Sequence, residues 1–189
     1  MIRKVQTGDA AAITAIYNEY VLSSTATFDT ETQTETGMRE QLTAISARFP
    51  YFVYEEDGEV AGYCYAHEWK AKAAYAHTLE TTVYVKRGYT GRSIGRKLTE
   101  HLIEACREQG FGVLIACITA ENAASIRLHE RLGFRRMSYF EAVGRKFGRL
   151  LDVTDYVLHL NPSGSPRQTR TGQTPEHSTE IIEKNTEIV

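Results

Sequence analysis

Cysteine, proline and long apolar runs are scarce in this 189-residue sequence, and each scarcity excludes a class of protein. The 3 cysteines, Cys64, Cys106 and Cys117, are widely spaced and form no CxxC pair, so no disulfide framework is expected. We expect all three to be buried as small apolar residues. No apolar run approaches the ~20 residues of a membrane span, and the charged N-terminal residues do not resemble a signal peptide. The sequence therefore predicts a cytoplasmic protein with no membrane partner.

An excess of charge of one sign is also missing. The formal net charge is -2, so the overall basic field that nonspecific nucleic-acid binders use is absent, and no nucleic-acid partner is expected. The 6 histidines show no metal-ligand spacing, and the His129-Glu130 pair lacks the second histidine of an HExxH motif. No metal is predicted.

The apolar pattern predicts one domain at residues 1–160. Its element order is β-α-α-β-β-β-α-β-α-β-β, which gives an α/β (α+β) fold with a mixed, mostly antiparallel central sheet of about seven strands flanked by helices. Asp9 is expected to cap the first helix, Pro50 to stop the second, and Asp57-Gly58 to form a hairpin turn. Residues 161–189 are polar and contain few apolar side chains, so we expect a disordered tail there.

A short basic loop between a predicted strand at residues 78–85 and a predicted helix from Ile94 suits a pyrophosphate group. The helix start offers free backbone N–H groups at the positive end of the helix dipole, and Gly91 and Gly95 allow close approach of an anion. Basic side chains add counter-charge, namely Lys86, Arg87, Arg92, Arg96 and Lys97. The spacing matches neither GxxxxGK[ST] nor GxGxxG, so an ATPase or a dinucleotide enzyme is disfavoured.

Together with a second motif, this loop resembles the GNAT acetyltransferase pattern. The pattern reads strand, [QR]-x-x-G-x-[GA], helix, strand, and then N-x-x-[SA]-x-x-L-[YH]-x-x-x-G-F. Residues 122–134, NAASIRLHERLGF, fit the second half in full, whereas the loop departs from the first half at Thr90 and Ser93. The Ser93 hydroxyl is expected either to cap the helix or to reach a phosphate oxygen.

Within that family, residues 1–160 look like the phosphinothricin or methionine sulfoximine acetyltransferase subgroup. The resemblance lies in ordered short stretches, among them Tyr17-Asn18, Ser24-Thr25, Trp69-Lys70-Ala71-Lys72, Arg127-Leu128-His129-Glu130 and Asp152-Val153. The herbicide-resistance branch carries Arg where Lys72 stands and Trp where Leu150 stands. These differences concern the acceptor rather than the type of reaction.

The resemblance implies a GNAT fold, acetyl-CoA as cosubstrate, a small amino-acid-like amine as acceptor, and a homodimer. It also implies direct attack of the neutral amine on the thioester, with a backbone N–H of the strand stabilising the oxyanion. The residues expected to bind acetyl-CoA are Val83, Tyr84, Val85, Gly91, Arg92, Ser93, Ile94, Gly95, Arg96, Asn122 and Ser125.

Two residues are predicted to be catalytic. Glu80 lies in an otherwise nearly uncharged strand, where it is either half of a structural ion pair or, as the resemblance implies, the base that deprotonates the acceptor ammonium. His129 shares a helical face with Asn122 and Ser125. Taken alone it reads as a surface histidine, but the resemblance implies that it protonates the departing thiolate or relays the amine proton.

The acceptor site is predicted from three residues. Lys72 and Tyr75, beside Trp69, are expected to hold a substrate carboxylate, and Phe28 is either a core residue or an apolar wall of the pocket. Two other functions stay open. A protein N-terminal or lysine acetyltransferase would need an open groove, and a non-catalytic acyl-CoA sensor would tolerate the loss of Glu80.

Overall fold

The computed structural model describes residues 1–160, and the predicted tail at residues 161–189 lies outside the described residues. The described elements are β1 (Ile2–Lys4), α1 (Ala10–Ser23), α2 (Glu35–Ser46), β2 (Tyr51–Glu56), β3 (Glu59–Glu68), β4 (Thr78–Val85), α3 (Ile94–Glu108), β5 (Val113–Thr119), α4 (Ala123–Arg131), β6 (Arg135–Arg136), β7 (Phe140–Lys146) and β8 (Arg149–His159). Short 3-10 turns at Thr7–Asp9, Ala73–Tyr75 and Arg87–Tyr89 lie between them.

Local turn and cap residues explain several element boundaries. The β2–β3 hairpin turns at Asp57 and Gly58, whose φ angles of 53° and 79° are the two positive values that a type I′ turn requires. Helix α3 is followed by Gly110 at φ 83°, as predicted for a C′ glycine. Helix α2 ends at Ser46, before Pro50, as the ring of a proline demands.

The predicted cap at Asp9 is wrong. The Asp9 side chain makes no capping hydrogen bond to α1. Instead its two carboxylate oxygens accept from the Arg3 guanidinium at 2.8 and 2.9 Å, and one of them also accepts from the Gln6 backbone N–H at 2.7 Å. The carboxylate therefore ties β1 to the 3-10 turn before α1, because a guanidinium offers a stronger, two-pronged partner than a helix end.

One sheet organises the described chain. Its order is β1-β2-β3-β4-β5-β8, and β6 and β7 both pair with β8. Among residues 1–160, β4 and β5 form the parallel pair and all other strand pairs are antiparallel. The mixed, mostly antiparallel sheet is thus confirmed. It has eight strands rather than about seven, because the two-residue β6 is too short to produce a sequence pattern.

Apolar layers cover both faces of the sheet. One contains the buried face of α3, with Leu98, Leu102 and Cys106 against Leu79 and Leu114. The other contains α1 and α2 packed on β2 and β3. The expectation that every cysteine is buried holds for Cys64 and Cys106 and is wrong for Cys117, which is exposed.

Candidate active site

A cleft opens where β4 and β5 diverge. The two strands pair over three residues, Thr78–Glu80 of β4 with Val113–Ile115 of β5. Beyond Glu80, no described strand continues the ladder on this edge of β4. The resulting main cleft has a volume of about 1020 Å³ and is lined by both strands, the start of α3, α4 and the segment after α1. Because strand edges carry N–H and C=O groups, this freed edge can pair with an extended ligand.

The start of α3 forms one end of the main cleft. The first N–H groups of a helix have no partner within the helix, so those of α3 are available to an anion here. Gly91, at φ 78°, and Ser93, at φ 61° and ψ 13°, turn the chain through left-handed conformations just before the helix. The Ser93 hydroxyl does not cap α3, so that alternative is wrong. A side chain at this backbone angle is strained, which explains why the family pattern has glycine there.

The predicted loop residues divide between the cleft and the surface. Gly91, Ser93, Ile94, Gly95 and Arg96 line the main cleft. Arg92 does not line it, and its guanidinium pairs with Glu56 at 2.7 Å. A Cβ added to Gly95 would meet Val85 Cγ2 at 3.5 Å, an ordinary contact. Packing within the protein therefore does not require glycine at position 95.

Glu80 lies at the opposite end of the freed edge from Val85. The two residues are five positions apart, roughly 16 Å along a strand. Burial raises the pKa of the Glu80 carboxyl above its usual range, and the charge of Asp155 raises it further, while His67 lowers it. His67 is the register partner of Glu80 on β3. A carboxyl group of raised pKa suits a general base near neutral pH, because its ionised form binds a proton more strongly than an ordinary carboxylate does.

Cys117 lines the main cleft on β5 and is paired in register with Asp155 of β8. Although cleft solvent reaches it, the surrounding protein and the charges of Glu80 and Asp155 raise the pKa of its thiol to about 12. The thiolate is the nucleophilic form of cysteine. Cys117 therefore stays protonated and unreactive near neutral pH.

His129 lies on α4, is 3% exposed and lines the main cleft. Its Nδ1 is 2.8 Å from the Ser125 carbonyl oxygen, so Nδ1 donates and the neutral ring keeps its lone pair on Nε2. Burial lowers the pKa of His129, opposed by the bond to Ser125. The buried imidazole is therefore uncharged at neutral pH, which contradicts a surface histidine.

Asn122 and Ser125 also line the main cleft. Asn122 Oδ1 accepts from the Ser125 N–H at 3.1 Å and so caps α4. The cap begins α4 directly beside the end of β5. The sequence motif thus has a structural role in addition to any contact with a ligand.

Comparison with known proteins agrees with this geometry. The family model described as "Acetyltransferase (GNAT) domain" matches residues 2–154. This chain belongs to the GNAT acetyltransferase family. It is 37% identical over 169 residues to the phosphinothricin N-acetyltransferase of Streptomyces viridochromogenes, covering 89% of this chain and 92% of the relative.

A curated relative and a solved structure, both from Salmonella typhimurium, extend the comparison. The L-methionine sulfoximine/L-methionine sulfone acetyltransferase is 39% identical, over 87% of this chain and 97% of the relative. An acetyltransferase structure with its cofactor acetyl-CoA superposes with a TM-score of 0.84 at 38% identity, covering 89% of this chain and 98% of that one. The GNAT fold and the subgroup resemblance predicted from sequence are confirmed.

The substrate residues predicted for this GNAT chain do not all meet in the cleft. Phe28 lines it and is half-buried, so it is not a core residue, while its contact with an acceptor stays a prediction. Lys72 and Tyr75 do not line it. Tyr75 packs edge-on against Trp69, with ring centroids 5.2 Å apart, and Lys70 Nζ lies 4.1 Å from the Trp69 ring centroid. In this GNAT chain the Trp69 loop therefore packs on itself at the surface.

Lys146 is a site residue of this GNAT chain that sequence reasoning missed. Its side chain is buried, and Nζ donates to the carbonyl oxygens of Ser24 at 2.8 Å and Thr27 at 2.7 Å. These residues follow the end of α1 and form the wall that ends in Phe28. Phe28 in turn lies against Gly144 of β7, where an added Cβ would be 2.0 Å from the ring. In the sequence Lys146 follows Arg145 between two predicted strands, where a lysine usually has an exposed side chain.

Three tyrosine side chains were missed as well. Tyr17, Tyr20 and Tyr65 line the main cleft together with Tyr84, which was predicted to bind acetyl-CoA. The Tyr20 hydroxyl donates to the Val85 carbonyl oxygen at 2.6 Å. Burial raises the pKa of Tyr17 and of Tyr84, so both keep their hydroxyl protons. Their sequence spacing looked like ordinary core packing, and only the fold brings the four rings together.

No group of three or more His, Cys, Asp or Glu side chains within residues 1–160 is arranged to hold a metal ion. None of the helices in the same part of the chain is long and apolar enough to cross a membrane.

Proposed function

We propose that this protein transfers the acetyl group of acetyl-CoA to the amine of a small amino-acid-like molecule of the phosphinothricin, methionine sulfoximine or methionine sulfone type. One observation carries the proposal: a freed strand edge runs from an anion-accepting helix start to a half-buried carboxylate of raised pKa. The names of the relatives support the same reaction and acceptor class.

Acetyl-CoA would span the main cleft along β4. Its pyrophosphate would lie over the N–H groups at the start of α3, near Gly91, Ser93 and Gly95. Its pantetheine arm would pair with the backbone of Val83, Tyr84 and Val85. Arg96, Asn122 and Ser125 line the same cleft, whereas Arg92 contributes at most long-range charge because it faces Glu56.

Chemistry would take place at the Glu80 end of the cleft. The Glu80 carboxylate removes a proton from the acceptor ammonium, directly or through water, and leaves a neutral amine. The amine lone pair forms a bond to the thioester carbon, and a backbone N–H of β4 stabilises the resulting oxyanion. The oxyanion then collapses, the C–S bond breaks, and the second amine proton reaches the CoA sulfur.

His129 would relay that second proton. A neutral imidazole with its lone pair on Nε2 has no proton to give until it has accepted one. The relay is therefore favoured over the role of a preformed acid. In this account Nε2 takes the proton from the nitrogen of the intermediate and gives it to the sulfur.

No acetyl-enzyme is needed. The thiol of Cys117 lines the same cleft as Glu80, and its raised pKa keeps it protonated. Direct attack by the acceptor amine therefore remains the simpler route. Acetyl-CoA mixed with the protein alone should accordingly release no stoichiometric burst of CoA.

The acceptor carboxylate would be held by Lys72, with Tyr75 beside it. Their loop joins the ends of β3 and β4 that carry His67 and Glu80, which puts it next to the acceptor end of the cleft. Because neither residue lines the cleft in this chain, the clamp requires this loop to change position or a second copy to supply it.

A homodimer is the second part of the proposal. Large exposed apolar side chains concentrate between residues 137 and 150, among them Val143 at 59%, Phe147 at 55% and Leu150 at 58% exposed. Exposed apolar residues that cluster in one hairpin are typical of an interaction surface, and a second copy of the β7–β8 hairpin would cover them. Sedimentation velocity of wild type and Val143→Glu tests this. A monomeric wild type would refute it.

A cytoplasmic location also stays a prediction.

The decisive experiment is a panel of acceptors assayed for CoA release. It should include methionine sulfoximine, methionine sulfone, phosphinothricin, their carboxylate esters, and peptides with free N-termini or lysines. We expect turnover of the free acids and weak turnover of the esters. Preference for peptides would support the protein acetyltransferase, and acetyl-CoA binding without any turnover would support the non-catalytic sensor.

A further inference from the structure

His67 stands between two clefts. It lines the main cleft, and it also lines a smaller surface cleft of about 310 Å³ beside α2, which we call the side cleft. Tyr65 is the other residue of the described chain that lines both. The rest of the side cleft consists of Gln41, Ala44, Ile45, Arg48, Phe49 and Glu68. A group at position 67 can therefore face the reacting end of the main cleft and solvent on the far side.

The strand register puts His67 directly beside Glu80. The two residues are partners in the antiparallel β3–β4 ladder, where directly opposed residues share a face and have Cβ atoms about 4.5–5.5 Å apart. That spacing lets an imidazole and a carboxyl group exchange a proton directly or through one water molecule.

The hydrogen bond of His67 fixes which ring nitrogen is basic. Nδ1 lies 3.0 Å from the Glu68 carbonyl oxygen, which can only accept, so Nδ1 carries a proton. In the neutral ring the lone pair is therefore on Nε2. This nitrogen can take up a proton while the bond to Glu68 keeps the ring oriented.

We propose that His67 carries the proton collected by Glu80 out of the main cleft and into the side cleft. The inference rests on the proposed function and deepens it by adding a residue to the same reaction. A separate exit matters because bound acetyl-CoA and acceptor would fill the main cleft and displace the water that could otherwise remove the proton.

The proton balance is simple. Glu80 takes one proton from the acceptor ammonium and becomes a neutral carboxylic acid. Glu80 then gives that proton to Nε2 of His67, which restores the carboxylate and leaves an imidazolium. Water or a buffer base in the side cleft removes the proton from the imidazolium, and both residues return to their starting state for the next turnover.

Several other groups face this pair. Cys117 of β5 and Asp155 of β8 lie on the Glu80 side, and Tyr65 lies beside His67 with ring centroids 5.7 Å apart. On the side-cleft face, Arg48 of α2 and Glu68 form an ion pair at 3.9 Å. Burial raises the pKa of the Cys117 thiol and of the Tyr65 hydroxyl, so both stay neutral near pH 7 and neither competes for the proton.

The simpler alternative is that His67 only supplies a positive charge beside Glu80, and two variants separate the roles. His67→Ala removes the imidazole ring, and with it both the positive charge and the proton carrier. It also joins the two clefts, so small bases can enter. His67→Lys keeps a positive charge, but an ordinary lysine holds its proton at neutral pH and cannot pass it on. His159→Ala, an exposed histidine at the end of β8, is the matched control.

The first measurement is kcat for CoA release with methionine sulfone at low buffer concentration. We expect His67→Ala and His67→Lys to be slower than wild type by about tenfold or more, and added imidazole to restore His67→Ala in proportion to its free-base concentration. His159→Ala should match wild type. A wild-type rate for either His67 variant, or a slow His67→Ala that imidazole does not restore, would overturn the relay.

The second measurement needs no acceptor and so remains informative if the proposed function fails. Carbon-13 NMR of labelled glutamate carboxyls follows the titration of Glu80, assigned with Glu80→Gln. Because His67 lowers the pKa of Glu80, we expect the titration midpoint to rise in His67→Gln, which removes the positive charge and keeps the space filled, and not in His159→Ala. An unchanged midpoint would show that the two groups do not interact and would overturn the relay. Inactivity of wild type on every acceptor would instead refute the proposed reaction.

Discussion

Replacing Glu80 with glutamine tests the mechanism most directly, because it keeps the shape of the side chain and removes the base. General-base contributions are typically about 10²–10⁴-fold in rate. At 1.36 kcal/mol per factor of ten, we expect kcat to fall by the equivalent of about 2.7–5.5 kcal/mol. Acetyl-CoA affinity should barely change, since Glu80 lies at the far end of the cleft from the start of α3.

The same substitution should stabilise the fold, and the sign follows from the pKa of Glu80. Burial raises it above the ordinary value of 4.5. Between the ordinary and the raised value the folded state binds more protons than the unfolded state, so the free energy of unfolding falls as pH rises through that window. Above the window the cost of the buried charge is fully present. Glutamine carries no charge, so Glu80→Gln should be more stable than wild type at pH 7 and lose that advantage toward pH 4.

The size of the gain can be bounded. Each unit of pKa elevation corresponds to about 1.4 kcal/mol, and less for a group that the cleft leaves partly open to water. For a chain of this length, each kcal/mol raises Tm by about 2–4 °C. Calorimetry of wild type and Glu80→Gln measures the gain in stability at pH 7 and its loss at pH 4.

The activity assay is a pH series of kcat for CoA release, with chemistry shown to be rate-limiting. Wild-type kcat should fall as pH drops through the raised pKa of Glu80, and the variant should recover as pH rises because solvent then supplies more free amine. A Glu80→Gln enzyme within about threefold of wild type at neutral pH would remove Glu80 as the base. A variant that is slow but less stable than wild type would show instead that Glu80 is half of a structural ion pair.

Three further substitutions test other parts of the cleft. Gly95→Asp should weaken acetyl-CoA binding in calorimetry by about tenfold or more through repulsion of the pyrophosphate, whereas Gly95→Ala, which the structure accommodates, should lose less. Gly144→Ala should force Phe28 out of place and cost about 1–3 kcal/mol of stability. It should also raise KM for the acceptor without changing acetyl-CoA affinity. Its control is Gly8→Ala, whose added Cβ meets nothing within 4 Å. Lys146→Met should destabilise the protein to urea by about 1–3 kcal/mol, because the buried Thr27 carbonyl loses its donor, and Lys146→Arg should recover part of that loss. Unchanged acetyl-CoA affinity in Gly95→Asp would contradict the pyrophosphate site, and unchanged stability in Gly144→Ala or Lys146→Met would contradict the contacts of Phe28 or of Lys146.

Short-range chemistry made much of the fold predictable. The Asp57-Gly58 turn, the glycine after α3 and the strand rich in β-branched residues at β4 depend on neighbours within a few residues, and the structure agrees with all three. Asp9 shows the limit of such reasoning. The predicted cap considered only the residues at the start of α1. In the structure the Asp9 carboxylate accepts from Arg3 instead, because β1 packs beside the 3-10 turn that carries Asp9.

Local patterns in the sequence predict the order of the elements, the motifs at residues 86–98 and 122–134, and the candidates Glu80 and His129. Such patterns can be recognised before the fold is known. Four other features appear only in the folded chain: β4 and β5 part after Glu80, Lys146 holds the wall ending in Phe28, Lys72 lies outside the cleft, and His67 lines two clefts. Each of these depends on strands and loops far apart in the chain meeting at one place, and pairing at such separations leaves no periodic trace in the residues themselves.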